Sequence, residues 1–438
     1  MKFDYKDTCL VTDKEISKYS AQIKDYVDHL IKVSKSRNYD STESSINLPF
    51  DSELLKEIKK LVRIKNSPQL KYIIVIGIGG SSLGTQAIYD AVFSHYDVLE
   101  NYRLPKIIFA STVDPEFMEK LVILLSKRIN NPKEFLIIPV SKTGTTLETV
   151  VNLEVVYNTV KKFFFSVDER IIAITDYKSK LWEIAKERNI STICIPTNVG
   201  GRYSVFSAVG LVPLSLVGID IDSLLKGARE MRNLCLNKDI AKNPALLSAI
   251  ISYAQFKKGN PMNNSFFFKP AFDSIGRWYR QLMGESLGKE TDLDGRTVNT
   301  GITPIISIGS TDLHSVTQLF LGGPKDKTTT FISTHKELDI PLPNDLSWQG
   351  LVDMIKGKTL IEVVHAELSG TQAAYRKRGL PYINIVLDDS SEKSIGEFIQ
   401  FKMIEMMYLG KLMNVNAFDQ PSVEYYKVEI KRILTNAS

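Results

Sequence analysis

The sequence predicts an α/β fold: two αβα-sandwich domains with mostly parallel sheets, plus N- and C-terminal helices. Three observations carry this. Apolar runs of strand length alternate with amphipathic helical stretches, the pattern of a parallel sheet covered on both faces. The alternation gives way near residue 205 to consecutive helical stretches and then resumes. The chain has 438 residues, more than one hydrophobic core usually organises.

The elements follow in order. Residues 14–36 place Ile16, Tyr19, Ile23, Tyr26, Val27, Leu30 and Ile31 at helical spacing. A Ser- and Asn-rich loop over 38–49 and a short helix over 52–62 come next. Strands are predicted at 72–76, 106–110, 135–140, 170–175 and 192–195, with helices between them, one opened by Pro115 and one over 178–188. Helices then succeed one another over 205–216, 221–236 and 243–256. Strands return at 265–268, 304–308, 328–332 and 382–386, among helices over 275–287, 312–320 and 349–374. Two helices, 394–413 and 422–434, end the chain. This reading gives an N-terminal helical segment (1–50), a first α/β domain (51–215), a second (216–410) and a C-terminal helical segment (411–438). The halves share a rhythm without a clear sequence repeat, and the helical linker between them predicts tight packing.

Composition narrows the function. With 43% hydrophobic and 24% charged residues, the chain is ordinary globular protein. Its 55 basic residues only slightly exceed its 50 acidic ones, and they are scattered. A nucleic-acid footprint needs clustering, so no nucleic-acid partner is expected. The longest apolar stretch, 206–219, is interrupted by Ser, Pro and Gly and is too short to span a bilayer, so no membrane partner is expected. Three cysteines, Cys9, Cys194 and Cys235, form no CxxC, and the N-terminus has no apolar signal region, which together predict a cytoplasmic protein. Five histidines make no HxH or HExxH pair, so no zinc site is expected; no metal and no cofactor enters the expected chemistry.

Several stretches depart from what structure alone requires. Ser141-Lys142-Thr143-Gly144-Thr145-Thr146 follows an apolar strand and opens a helix. The first amides of a helix are unpaired and favour an anion, and these hydroxyls exceed what a helix cap needs, so the loop reads as a phosphate seat. Gly77 to Gly84 resembles a dinucleotide fingerprint, but Ser82 stands at the third glycine position and no acidic residue ends the next strand. Tight helix-on-strand packing is the competing reading there. Arg202 follows two glycines, where an Arg would ordinarily be solvated. Glu285 ends a helix at the negative pole of its dipole, a local misfit of the kind found at functional sites. His314 falls in the first turn of a predicted helix, a position that favours neutral imidazole. Lys427 lies on the terminal helix, where a surface role is the ordinary one.

Seven stretches together resemble the phosphoglucose isomerase family in its shorter bacterial form: IGIGGSSLG at 76–84, SKTGTTLET at 141–149, GGRYSVFSAVG at 200–210, GRWYRQLMGESLGK at 276–289, GSTDLHS at 309–315, ELSGTQAAY at 367–375 and FDQPSVEYYK at 418–427. They occur in the family order. The resemblance implies two sugar-isomerase-type domains, residues 51–215 being the phosphosugar-binding one and 411–438 completing the active site. It implies the reversible interconversion of glucose 6-phosphate and fructose 6-phosphate through an enediolate, a step of glycolysis and gluconeogenesis. By the same resemblance Ser141, Thr143, Thr146 and the Lys142 amide hold the phosphate, and Gly80 and Ser81 approach the sugar. Glu285 is the base, Arg202 stabilises the enediolate, His314 and Lys427 assist ring opening, and Gln281 and Gln420 contact substrate. The family's homodimer shares its active site, the counterpart of His314 coming from the neighbouring subunit. Two departures stand out: Ser422 where Gly is common and Ala417 where Pro is common. If that glycine needs a positive φ, Ser422 costs about 1 kcal/mol.

The chemistry fits these residue types. Moving a proton between carbons beside a carbonyl needs a carboxylate base shielded from water. An enediolate needs fixed positive charge, which Arg supplies without losing its proton. The phosphate changes no bond and serves for orientation. Two other readings are a non-catalytic phosphosugar sensor, which would have no use for Glu285, His314 and Lys427, and an isomerase that also accepts mannose 6-phosphate.

Overall fold

The computed structural model describes residues 1–36 and 38–436. Its strands are β1 (Lys2–Asp4), β2 (Tyr72–Ile76), β3 (Lys106–Ala110), β4 (Phe135–Pro139), β5 (Ile172–Thr175), β6 (Ser191–Cys194), β7 (Met262–Phe267), β8 (Lys289–Thr291), β9 (Thr297–Thr300), β10 (Thr303–Ile308), β11 (Lys327–Thr334) and β12 (Tyr382–Leu387). In the first half β3, β2 and β4 pair in parallel, as do β5 and β6. Parallel bridges Ile137–Ile171 and Val140–Ile174 join the two groups into one layer. β2, β4 and β5 are apolar and almost wholly buried, as expected of strands covered on both faces. The second half orders its strands β1-β12-β11-β7-β10. All pairs there are parallel except β1 with β12. The α/β architecture with mostly parallel sheets is the one the sequence predicts.

Strand order places the site. Counted by appearance, the first sheet runs second-first-third-fourth-fifth, and the parallel strands of the second sheet, with the antiparallel edge strand β1 set aside, run second-first-third-fourth. Both therefore reverse direction between their first and third strands, and ligands bind at the carboxyl ends of strands at such a switch point. In the first half this is where the Gly77–Gly84 turn leaves β2 and the Ser141–Thr146 loop leaves β4. In the second half the corresponding crevice, between β7 and β11, holds the Lys269–Glu337 ion pair at 3.1 Å.

Helices pack both halves into one body. The Glu392–Leu412 helix is buried along nearly its whole length and lies against Ile221–Cys235 and Pro244–Lys257. Gly227 and Gly396 make that approach possible, since a Cβ on either would meet backbone at about 2 Å (1.9 and 2.0 Å). One continuous apolar core runs from Cys9 through Ile73, Leu211 and Ile250 to Leu409.

Two predicted helices differ. The helix expected over 349–374 begins only at Leu360 and runs to Arg378. Gly350 and Gly357 adopt positive φ (83° and 67°), which ends helical geometry, and Thr359 with Glu362 forms a capping box that starts the helix there. The helix expected over 312–320 is broken at Val316 into Thr311–Ser315 and Thr317–Gly322. The hydroxyl of Thr317 donates to the Asp312 carbonyl (2.9 Å), in competition with the helical ladder. β1 and the β8–β9 hairpin were not anticipated from the sequence. Among the described residues no helix is long and apolar enough to cross a membrane.

Candidate active site

The helix Asp273–Leu287 buries Ile275, Trp278, Tyr279, Leu282 and Met283 on one face. At the border of that face Gln281 and Glu285 are partly exposed, four residues apart and therefore adjacent. Gln281 Nε2 donates to Glu285 Oε1 at 3.0 Å. The other carboxylate oxygen, Oε2, accepts from Arg202 Nη1 at 3.2 Å. Glu285 thus has both oxygens held, with its side chain 32% exposed towards the cleft.

Arg202 is buried in a short turn, Gly201–Tyr203, contrary to the usual solvated Arg. A guanidinium has five N–H donors in a fixed fork, and here each has an acceptor. Nε donates to Ser286 Oγ (2.9 Å), Nη1 to Glu285 and to Gln420 Oε1 (2.9 Å), and Nη2 to the carbonyls of Ala417 (2.6 Å) and Asp419 (3.1 Å). Full pairing is what makes burial of this charge tolerable. The turn sits against the glycine stretch after β2. A Cβ on Gly80 would lie 2.2 Å from the Gly201 carbonyl carbon, so only glycine lets the Arg202 turn approach. Gly77 and Gly84 likewise face Val140 and Val205 closely, whereas a Cβ on Gly79 (φ +59°) would meet the Gln281 amide nitrogen at 2.9 Å. Close packing accounts for Gly77, Gly80 and Gly84, and Ser81 occupies the same turn, partly exposed.

The Ser141–Thr146 loop leaves the neighbouring strand. Ser141 is buried, its hydroxyl bonded to Thr146 Oγ1 (2.8 Å) and to the Gly144 amide (3.1 Å). Gly144 takes φ +74° against the backbone of Leu181. Thr146 is the N-cap of the Leu147–Lys161 helix but makes no side-chain cap bond, so the helix's first amides keep their donors free of that competitor. The Lys142 ammonium reaches away to the carbonyls of Thr197 and Val199, towards the Arg202 turn, which leaves its amide on the loop. Thr143 is exposed, bonded to Thr145 (3.1 Å).

A cleft of about 470 Å³ separates this loop from the C-terminal helix Val423–Asn436, lined by Thr143, Thr146, Glu148, Glu424, Lys427 and Lys431. Lys427 therefore stands opposite the hydroxyl loop rather than in the Arg202 cluster. Its ammonium is half-exposed and pairs with Glu424 at 2.7 Å, which holds it above the ordinary lysine range. Ser422 is not among the residues with positive φ, so it carries none of the strain considered for it. Ala417 is buried and contributes its carbonyl to Arg202. His314 is exposed, the fourth residue of a five-residue helix, so the N-terminal dipole invoked for it has no length to act over. Within this chain no hydrogen bond or ion pair links it to the Glu285 cluster among the described residues.

The structure thus brings Glu285, Arg202, Gln281 and Gln420 into one hydrogen-bonded group. The glycine turn lies between that group and the Ser141–Thr146 loop. It adds groups that sequence reading passed over: Ser286, the Asp419 carbonyl, and Lys289, whose ammonium donates to the Glu285 carbonyl at 2.6 Å. Ser286 and Lys289 lie inside a stretch quoted for its resemblance, yet a Lys past a helix end reads as solvated.

Residues 63–438 match the family model described as phosphoglucose isomerase. The chain belongs to the phosphoglucose isomerase family. A glucose-6-phosphate isomerase of Methanocaldococcus jannaschii is 36% identical over 369 residues, covering 84% of this chain and 86% of its own. One from Mycoplasmopsis pulmonis is 32% identical over 426 residues, covering 94% and 96%. Among solved structures, a hypothetical protein from Thermus thermophilus matches with a TM-score of 0.87 at 28% identity, covering 99% of both chains. A glucose-6-phosphate isomerase from Chlamydia trachomatis shares the fold, with a TM-score of 0.80 at 20% identity over 98% of this chain and 87% of its own.

Proposed function

We propose that this phosphoglucose isomerase family member interconverts glucose 6-phosphate and fructose 6-phosphate, an aldose–ketose isomerisation within glycolysis and gluconeogenesis. The observation that carries the reading is the Arg202–Glu285 pair at 3.2 Å, braced by Gln281 and Gln420 beside a hydroxyl-lined loop at the sheet's switch point.

The roles follow from this geometry. The phosphate is anchored by the hydroxyls of Ser141, Thr143 and Thr146 and by the Lys142 amide, which fixes the sugar for reaction without entering it. The substrate's closed ring opens when a proton reaches the ring oxygen and another leaves the anomeric hydroxyl. Lys427, opposite the loop, and His314 of a second subunit are assigned to that step. The Glu285 carboxylate then takes the proton from C2. The C–H pair becomes the C1–C2 double bond, and the carbonyl pair moves onto oxygen. The O2 hydroxyl proton passes to O1, the same carboxyl returns its proton to C1, and the O2 pair forms the carbonyl at C2 as the double-bond pair takes up that proton. Glu285 must release Arg202 or Gln281 to do this. Arg202 Nη1, pointing into the site, then offers its donors to the enediolate oxygens. Gln281 Oε1 is buried without a hydrogen-bond partner, which supports its assignment as an acceptor for a sugar hydroxyl. Gly80 and Ser81 border the sugar through the turn's backbone.

We assign the working unit to a homodimer with shared active sites, in the cytoplasm. His314, exposed and apart from Glu285 within one chain, supports the first, and the unpaired cysteines support the second. Residues 51–215 are taken as the phosphosugar-binding unit and 411–438 as the segment that completes the site, with the cleft between loop and terminal helix in support.

In a coupled assay with fructose 6-phosphate the purified protein is expected to turn over. Absence of turnover would sink the reading. Glu285→Gln should cut kcat by about 10³-fold or more while phosphosugar binding, measured by calorimetry, persists. Near-wild-type turnover would remove Glu285 as the base.

A further inference from the structure

Lys289 opens β8, four residues beyond Glu285, and its side chain is only 5% exposed. A buried ammonium needs an acceptor for each of its three donors. Lys289 Nζ donates to the Glu285 carbonyl at 2.6 Å and to the Asp419 carbonyl at 2.7 Å, and forms an ion pair with Asp419 Oδ1 at 3.3 Å. The Glu285 carbonyl belongs to the last turn of its helix, where carbonyls lack an intrahelical partner. The lysine therefore caps the helix at the residue that carries the carboxylate. The Asp419 carbonyl also accepts from Arg202 Nη2 at 3.1 Å. Two cations thus grip one segment, residues 417–420. Arg202 holds it together with the Glu285 carboxylate. Lys289 holds it together with the Glu285 backbone. Burial pushes the Lys289 ammonium down from the ordinary lysine range, and the Arg202 charge adds to this, against the pull of Asp419 and Glu285.

We propose that Lys289 is a positioning residue of the isomerisation: it locks the Glu285 backbone to the segment that bears Gln420 and the carbonyl anchors of Arg202, and so sets base and cation relative to each other. This rests on the roles given above to Glu285 and Arg202. Lys289 acts through them, its buried ammonium held by two main-chain carbonyls and one carboxylate.

Lys289→Met keeps the stem and removes the donors. The expected result is a kcat lower by about tenfold or more with KM for fructose 6-phosphate within about threefold, because the phosphate is anchored on the far side of the glycine turn. A loss of folded enzyme would also lower kcat, so the deciding readout is a phosphorylated aldonohydroxamate, a planar mimic of the enediolate. Its inhibition constant should rise by about the same factor as kcat/KM falls. An unchanged inhibition constant in folded Lys289→Met overturns the proposal. Asp419→Ala, at a side chain 48% exposed, removes the counter-ion together with the acceptor of the Asn416 side-chain amide, and keeps the carbonyl that Lys289 and Arg202 share. It should lower kcat and raise the inhibition constant, each by about threefold. If Lys289→Met does not fold, wild-type values of both in Asp419→Ala overturn the proposal. Wild-type protein is assayed alongside: an inactive wild type removes the isomerase reading, whereas an active one with unaffected variants removes only the role of Lys289.

Discussion

Thr146 shows how a single hydroxyl separates a cap from a binding group. It occupies the N-cap of a long helix, yet its Oγ1 bonds Ser141 and leaves the helix amides alone. Other helices of the chain, such as those behind Asp114, Ser179 and Asn243, have their caps satisfied by side chains. Thr146→Val keeps the shape and removes the hydroxyl. KM for fructose 6-phosphate should rise about tenfold with a smaller fall in kcat, because an anchor holds ground and transition states alike. Steady-state kinetics check this, and a large kcat loss at constant KM would show that the loop does more than anchor. Arg202 and Lys289 make the complementary point. A sequence lists both as charges, and the usual expectation for a charge is water. Both are buried because main-chain carbonyls from a distant segment receive their donors, and no local signal announces such carbonyls.

The glycine turn after β2 is the element that couples the parts. On one side Gly77 lies against the end of β4, and on the other Gly80 lies against the Arg202 turn. Reading the four glycines left two options open, ligand approach and tight packing. Packing explains three of them, through contacts with segments far away in the chain. Gly80→Ala should therefore act as a displacement of Arg202. With a Cβ 2.2 Å from Gly201, the turn must move by roughly an ångström, and kcat/KM should fall by about 10²-fold with some loss of melting temperature. Activity within about twofold of wild type would mean the turn yields without moving the guanidinium. Elements defined by local pattern were legible: β2, β3, β4 and the Asp273–Leu287 helix fall where apolar runs and spacing put them. The β8–β9 hairpin had a usable signal in Asp294-Gly295, with Gly295 at φ +80°. β1 had none, since three residues become a strand only by pairing with β12.

At the scale of the whole molecule, the two halves repeat one order over four parallel strands without repeating a sequence. Parallel strands with helical crossovers constrain topology far more than residue identity. Among the described residues the first half's switch point carries the hydroxyl loop, whereas at the second Lys269 and Thr334 both bond Glu337. The exposed surface bears on the proposed dimer. Leu338, Trp348, Leu351 and Met354 are 75–92% exposed on the 335–359 excursion, and His314 is exposed on the short Thr311–Ser315 helix. Apolar side chains exposed to this degree fit a surface covered by a second copy. If Glu285 and His314 of each site come from different subunits, a hybrid of Glu285→Gln and His314→Ala chains has one intact site. Mixing the two inactive homodimers under exchange conditions should restore about a quarter of wild-type activity, since half the dimers are hybrids with one of two sites intact. No recovery, with exchange demonstrated, would place both residues of a site in the same chain.

The sequence by itself determined the α/β class, the order of most strands and helices, the hydroxyl loop and the family, because these depend on local periodicity, helix-start chemistry and several long motifs in a fixed order. Tertiary structure alone decided which residues meet. Arg202 lies 83 positions of chain from Glu285 and 218 from Gln420. They are joined by sheet topology, by glycines that permit backbone contact, and by buried carbonyls that make two interior cations tolerable. Those causes belong to the folded arrangement, where the desolvation of a charge and the supply of its acceptors are settled together.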